Sequence, residues 1–299
     1  MVGHKKLLLL GGTGFVGSHI LYNALQSGWR VVCATRGGVP KPGVPLLDAA
    51  LQQYYYGTQQ HTSPHNINNT SSNNNNNSEE GLQCCTPPLE FVSLDACSRS
   101  QVFALFADHP DTTAVVSCVG ARTHNHVEAR RVCGDANVNI AAAIYTRGAA
   151  VRRVVLISAE PLRRSQQQQQ QQTQKHNGLF FTTPTLPLAL SPQWRLWRGY
   201  FHGKRLAERA VLENFPDRAV VLRPGLVVYG DGPLALIARP LECALRPLHS
   251  ACGVCTPPMH VKVLAGAVMR AIEDGHTTPG VWDYDRMHQV CAQETQADA

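Results

Sequence analysis

Apolar positions along the chain fall into short continuous runs that alternate with stretches of helical spacing. The segment Lys5 to Leu10 carries four consecutive leucines and ends in glycines, which predicts a strand buried on both faces. Ser18 to Ser27 follows with Ile20, Leu21, Ala24 and Leu25 on one helical face, and Gly28 stops it. Trp29 to Ala34 is the next strand, so the chain opens as a βαβ unit with a right-handed crossover. Further strands are predicted at Leu89 to Leu94, Thr113 to Val119, Arg153 to Ser158, Ala219 to Val221 and Gly280 to Tyr284. Helices are predicted at Arg99 to Asp108, Ala136 to Gly148, Tyr200 to Asn214, Pro233 to Leu248 (with Pro240 as a kink or break) and Val261 to Glu273.

This alternation predicts an α/β fold, a Rossmann-type doubly wound parallel sheet with helices on both faces, formed by residues 1–299 as one domain. A small substrate-side region is expected at about 226–275. Two polar tracts interrupt the pattern without changing its order. One runs from about 40 to 88 and contains Asn73 to Asn77. The other runs from about 163 to 192 and contains Gln166 to Gln172. Neither buries enough apolar surface to offset chain entropy, so both are expected to be disordered insertions in surface loops. Residues 288–299 are expected to form a loose tail.

Residues 7–20 carry the first candidate chemistry. Gly11, Gly14 and Gly17 are spaced three apart, around Thr13, Phe15 and Val16, between a strand and a helix. Gly11 permits the tight turn, Gly14 lets backbone approach a diphosphate, and Gly17 lets helix and sheet pack closely. The helix N-terminus then offers N–H groups to phosphate oxygens. At the end of the second strand, an acidic residue would read a ribose hydroxyl. Ala34-Thr35-Arg36-Gly37-Gly38 holds none, and Arg36 is placed for a 2′-phosphate. The cofactor expected is therefore NADP, with NAD as the alternative. Asp95 after the third strand and Gly120 after the fourth are candidates to face the cofactor, or else ordinary loop residues.

Tyr200 and Lys204 are four apart at the start of a predicted helix, on one face. An ammonium beside a phenol favours the phenolate, which suits the phenol to exchange a proton with a carbonyl or alcohol oxygen. Ser158 ends the fifth strand at the sheet edge where such folds bind ligands. It either contacts a substrate oxygen or satisfies the strand end.

Composition adds limits. Hydrophobic residues make up 43% of the 299, enough for a core, and the net charge of +6 is spread without a basic stripe. That balance suits a phosphate-bearing ligand or an anionic membrane surface and argues against a nucleic-acid partner. No apolar run reaches the ~18–20 residues of a membrane span, so no transmembrane segment is expected. Ten cysteines without a secretory signal indicate a reducing compartment, and only Met1 to Lys6 precede the first apolar run, too few for a conventional presequence. Cys252 and Cys255 lack a second ligand pair, Cys84-Cys85 lies in a polar tract, and His124 and His126 flank a loop asparagine. No metal is expected from them.

The order of the glycine turn, Val115-Val116-Ser117-Cys118-Val119-Gly120, Val154-Val155-Leu156-Ile157-Ser158-Ala159, the Tyr200/Lys204 pair and Leu222-Arg223-Pro224-Gly225-Leu226-Val227-Val228-Tyr229-Gly230 resembles the short-chain dehydrogenase/reductase superfamily. Within it, the chain resembles the extended and atypical branch of NAD-dependent epimerase/dehydratase-like proteins. Gly199 to Glu208 and Thr256-Pro257-Pro258 are most similar to a mitochondrial subgroup associated with coenzyme Q biosynthesis and related to the complex I 39 kDa-type subunit. The resemblance implies that Gly11, Gly14 and Gly17 form the dinucleotide turn and that Tyr200 and Lys204 form the catalytic pair, with Lys204 also binding the ribose. It implies that Arg223, Pro224 and Gly225 line the site near the nicotinamide. Family enzymes carry the catalytic hydroxyl one or two positions after Ser158, where this chain has Ala159 and Glu160. The implied activity is NADP(H)-dependent oxidoreduction of a small-molecule substrate, quinone- or isoprenoid-related, in the mitochondrion. The alternative is a non-catalytic, cofactor-binding scaffold within a membrane-associated complex.

Overall fold

The computed structural model of the chain describes residues 5–40, 43, 45–56, 88–159, 197–225, 228–252, 256–274 and 277–297. Most of the first polar tract and the whole of the second lie outside the described residues. Seven strands form one parallel sheet: β1 (Lys6–Leu10), β2 (Arg30–Thr35), β3 (Leu89–Ser93), β4 (Ala114–Ser117), β5 (Arg153–Ile157), β6 (Ala219–Leu222) and β9 (Gly280–Trp282). Their order is β3-β2-β1-β4-β5-β6-β9, with the reversal of winding between β1 and β4. β1 sits at the centre, where Leu7–Leu10 pairs with Val31–Ala34 of β2 on one side and with Ala114–Ser117 of β4 on the other. A short parallel pair, β7 (Val228–Tyr229) with β8 (Met259–His260), stands apart from the main sheet.

The period-two alternation of β1 divides the core. Leu7 and Leu9 face one side, packed with Ile20, Leu21 and Ala24 of α1 (Phe15–Gln26) and with Leu264 and Val268 of α8 (Val261–Glu273). Leu8 and Leu10 face the other, packed with Val102 and Phe106 of α3 (Arg99–Asp108), Ile140 and Ile144 of α5 (Ala136–Arg147), and Ala207 and Val211 of α6 (Arg198–Asn214). A strand apolar on both faces is what a doubly covered parallel sheet requires.

Three expectations need correction. The first insertion does not begin at 40. Pro45–Ala50 forms helix α2, continued by a π-turn over Leu51–Tyr56, because Leu47, Ala50 and Leu51 bury themselves against the α1 side of the sheet. The loose tail expected from 288 is instead helical to 297, the continuation of α9 (Tyr284–Ala297), anchored by Tyr284 and Met287 in the core with Val290 and Cys291 packed against it. Of the kink or break expected at Pro240, the break does not occur: α7 (Ala235–Cys252) contains both Pro240 and Pro247. Before α5, a short helix α4 (His126–Arg130) is capped by Asn125, whose Oδ1 accepts the N–H groups of Val127 (3.1 Å) and Glu128 (3.2 Å), and a π-turn over Arg131–Asp135 joins the two. Among the described residues no helix is long and apolar enough to cross a membrane.

Candidate active site

The turn between β1 and α1 is built from backbone. Gly11 takes φ +82°, and its N–H donates to the Ala34 carbonyl at 2.9 Å. A Cβ at Gly11 would come within 3.3 Å of the Cys118 carbonyl, so both conformation and space require glycine. A Cβ at Gly17 would run into the Gly11 carbonyl oxygen and lie 2.7 Å from Gly12 Cα, because α1 rests directly on the turn. Gly14 is different: its Cβ would meet only the Gly11 oxygen, at 3.5 Å, leaving that surface open. Among the described residues no side chain caps α1, which leaves its first-turn N–H groups at the positive end of the helix for a ligand. The sequence reading passed over Gly12, where a Cβ would stand 2.5 Å from Cys33 Sγ and 2.8 Å from Leu9 Cδ2. The glycine doublet was its only local signal.

Two clefts lie side by side along the carboxyl edge of the sheet and share Cys118 and Gly120. The first, about 1110 Å³, is bordered by Gly11, Thr13, Gly14, Arg36, Asp95 and Gly120. Arg36 is exposed at its margin. Asp95 shapes the loop after β3: its Oδ1 accepts the Cys97 N–H at 3.0 Å, and its own N–H donates to Gln101 Oε1 at 2.9 Å. The second, about 810 Å³, is bordered by Phe15, Val16, Ser158, Tyr200, Lys204 and Pro224. Phe15 and Val16 therefore belong to the second cleft, and Gly17 borders neither, serving the packing of α1.

The lineage is decided by residues 7–185, which match the NAD dependent epimerase/dehydratase family. The chain belongs to that family. The match includes the glycine turn and Ser158 and stops short of Tyr200. A protein of Arabidopsis thaliana, the uncharacterized chloroplastic At1g32220, is 28% identical over 91% of this chain and 73% of its own length. Among solved structures, the Bordetella bronchiseptica enzyme WbmG in complex with NAD gives a TM-score of 0.53 at 15% identity, covering 94% of this chain and 73% of that one. The UDP-glucuronic acid 4-epimerase of Bacillus cereus in complex with NAD gives 0.51 at 15% identity, covering 93% and 77%. These two likenesses show the fold. A nicotinamide dinucleotide suits the cradle, since the open Cα of Gly14 and the uncapped end of α1 are what a diphosphate needs.

In this member of the epimerase/dehydratase family, α6 brings the remaining groups together. Gly199 and Gly203 flank Tyr200 at helical spacing and press α6 onto α4 and the π-turn. A Cβ at Gly203 would lie 2.9 Å from the Arg130 carbonyl oxygen, and one at Gly199 would run into that of His126. The adjoining face, about 100° around the helix, brings Tyr200 and Lys204 to the cleft. Lys204 is buried, and its Nζ donates to the carbonyl oxygens of Ile157 (2.6 Å) and Val119 (3.3 Å), the ends of β5 and β4. It lies 5.9 Å from the Tyr200 ring centroid. Gly120 makes room for it, since a Cβ there would be 3.3 Å from Nζ. The Ser158 N–H continues the sheet by donating to the Leu222 carbonyl at 2.7 Å, while its buried hydroxyl has no hydrogen-bond partner among the described residues and borders the cleft.

Arg223 differs from the role the resemblance implies. Pro224 and Gly225 border the cleft, but the Arg223 guanidinium is buried in a bidentate pair with Glu208, at 3.0 and 2.5 Å, locking β6 to α6. Asn137 was not singled out by the sequence. It accepts from Ser117 Oγ at 2.6 Å and donates to the Cys133 and Val119 carbonyls at 2.9 and 3.4 Å, fixing the end of β4. Burial pushes the thiol of Cys118, which borders both clefts, and that of Cys33, which packs behind Gly12, up to about 12, so both stay neutral and unreactive. The His126 Nδ1 accepts the Gly199 N–H at 3.4 Å, and His124 pairs with Trp197 at 5.0 Å, so both mark the contact of α4 with α6. Of the cysteines considered as metal ligands, Cys84, Cys85 and Cys255 lie outside the described residues.

Proposed function

We propose that this chain is an NADP(H)-dependent oxidoreductase interconverting a carbonyl and an alcohol. The observation that carries this reading is the buried Ser158 hydroxyl, unpartnered among the described residues and bordering the same cleft as Tyr200 and Lys204. A buried hydroxyl without a partner forgoes about 1–3 kcal/mol, a cost that a substrate oxygen in the cleft would relieve. The glycine turn would hold the diphosphate, Arg36 a 2′-phosphate, and Lys204 the ribose. When bound, the nicotinamide supplies or accepts the hydride. Tyr200 gives a proton to the carbonyl oxygen in reduction and takes it from the alcohol in oxidation. Ser158 donates a hydrogen bond to the same oxygen, and Lys204 stabilises the negative charge that develops there.

Phe15, Val16, Ile157, Ala159, Val228 and Leu264 give the second cleft an apolar wall, which supports a quinone- or isoprenoid-related substrate, as the resemblance implies. The mitochondrial compartment belongs to the same proposal, tested by fractionation of cells that make the chain. One observation favours the scaffold reading instead: Lys204 already ties two strand ends together, a purely structural use of an ammonium. Titration with NADPH and NADH, followed by a screen of quinone intermediates for hydride transfer, separates the two. We expect tighter NADPH binding, lost about tenfold in Arg36→Ala with NADH affinity unchanged. Equal affinities unaffected by that variant would refute the NADP preference, and cofactor binding without turnover of any screened carbonyl would favour the scaffold.

A further inference from the structure

Helix α7 is built inside out. Its inward residues, Ala235, Ala238, Glu242, Leu245 and His249, follow helical spacing, and all of them but the half-buried Leu245 are small or polar. Glu242 is held there by the hydroxyls of Tyr229 (2.5 Å) and Tyr284 (3.1 Å). The large apolar side chains face outward: Leu236 is 81% exposed, Ile237 70% and Leu241 45%, with Leu234 at 55% just before the helix. A helix in water normally turns such residues to the core, and so dense a cluster on the surface marks an interaction face.

We infer that this face rests on an anionic lipid bilayer. Arg239 and Arg246 are exposed on the same helix, whose acid, Glu242, is turned inward. Of the neighbouring exposed carboxylates, Asp231 is engaged by Arg239 (2.8 Å), Lys262 (2.8 Å) and His260 (3.1 Å), and Asp285 lies 3.5 Å from His249; set against Arg239, Arg246 and Lys262 they leave the patch net positive. Leucine and isoleucine interleaved with arginine is the composition of a helix lying in the interface plane, apolar side chains among acyl chains and guanidinium groups among phosphates. Since α7 is not apolar enough to cross a membrane, it lies on the surface. A negatively charged headgroup layer complements this charge, whereas an acidic protein groove would have to match the exposed leucines as well. The placement is independent of the cofactor chemistry, although α7 follows β7, whose Val228 borders the second cleft.

Co-sedimentation of the full chain with phosphatidylcholine vesicles, with and without phosphatidylglycerol, tests this. We expect pelleting with the mixed vesicles, weaker pelleting with phosphatidylcholine alone, and release as salt is raised. The L236E/I237E variant should lose at least about tenfold in partitioning, and Arg246→Glu several-fold, with melting temperature and NADPH affinity unchanged. Failure to pellet with anionic vesicles, or pelleting that survives L236E/I237E, overturns the inference. So does a dimer, seen by light scattering, that the double variant dissolves while wild type ignores vesicles, because the face would then belong to a second copy.

Discussion

The two clefts are made by opposite means. The one beside β1, β2 and β3 is shaped by what is missing: Gly11 takes a left-handed turn, Gly14 presents bare backbone, and behind them Gly12 and Gly17 leave no room for a methyl group. The one beside β4, β5 and β6 is shaped by side chains from distant segments: Ser158 just after β5, Tyr200 and Lys204 from α6, and Pro224 after β6. Backbone recognition needs a few adjacent residues and tolerates little change. Side-chain chemistry needs a scaffold that brings remote residues together and can lose its function one group at a time without unfolding.

Tyr200→Phe probes that contrast with the largest expected effect. It should lower kcat by about 10²–10⁴-fold and leave NADPH affinity and melting temperature intact, because it removes a proton donor and no packing. Steady-state kinetics with a cofactor titration measures both, and a joint loss of binding and turnover would break the proposed division. Next is Glu208→Ala, which strips the carboxylate from a buried guanidinium. Urea denaturation should show a loss of about 3–5 kcal/mol, felt mainly at the β6–α6 junction. Gly17→Ala overpacks the turn. It should cost about 1–3 kcal/mol and abolish dinucleotide binding by moving α1, the reverse of the Tyr200 phenotype.

The smallest effect is on pH. Burial holds His19, His109 and His288 below their ordinary value of 6.5. Each binds more protons unfolded than folded once the pH drops below 6.5. Stability from this source is therefore fully present above 6.5 and is lost as the pH falls towards the lowered folded values. Urea midpoints measured at pH 7.5 and pH 5.5 should show a decline, reduced in His19→Gln, beside His260 and Lys262, and in His288→Gln, beside Tyr284. A variant whose decline matches wild type removes its histidine from this account.

The same contrast explains what the sequence made legible. The glycine spacing and the β–α alternation are local, and from them came the parallel sheet, the cofactor turn and the Tyr200/Lys204 face. Helices α2 and α9 were hidden by polar composition, although Leu47, Ala50 and Leu51, and likewise Tyr284, Met287 and Cys291, carry a sparse helical spacing. The pairing of Arg223 with Glu208 joins two elements that only the tertiary fold brings together, so the Arg223-Pro224-Gly225 run gave no sign that its arginine turns away from the cleft. Ser158 was legible as a strand-end hydroxyl, but its lack of a partner was not, since that depends on everything packed around it.

Strand β9 carries a consequence for biosynthesis. β6 is complete at Leu222, yet its outer edge pairs with Gly280–Trp282. While the intervening chain is still emerging from the ribosome, the Val220–Leu222 edge offers open hydrogen-bonding groups to any passing nascent strand. A holding chaperone, or slow translation placed before that stretch, would protect the half-made molecule until its own last strand arrives.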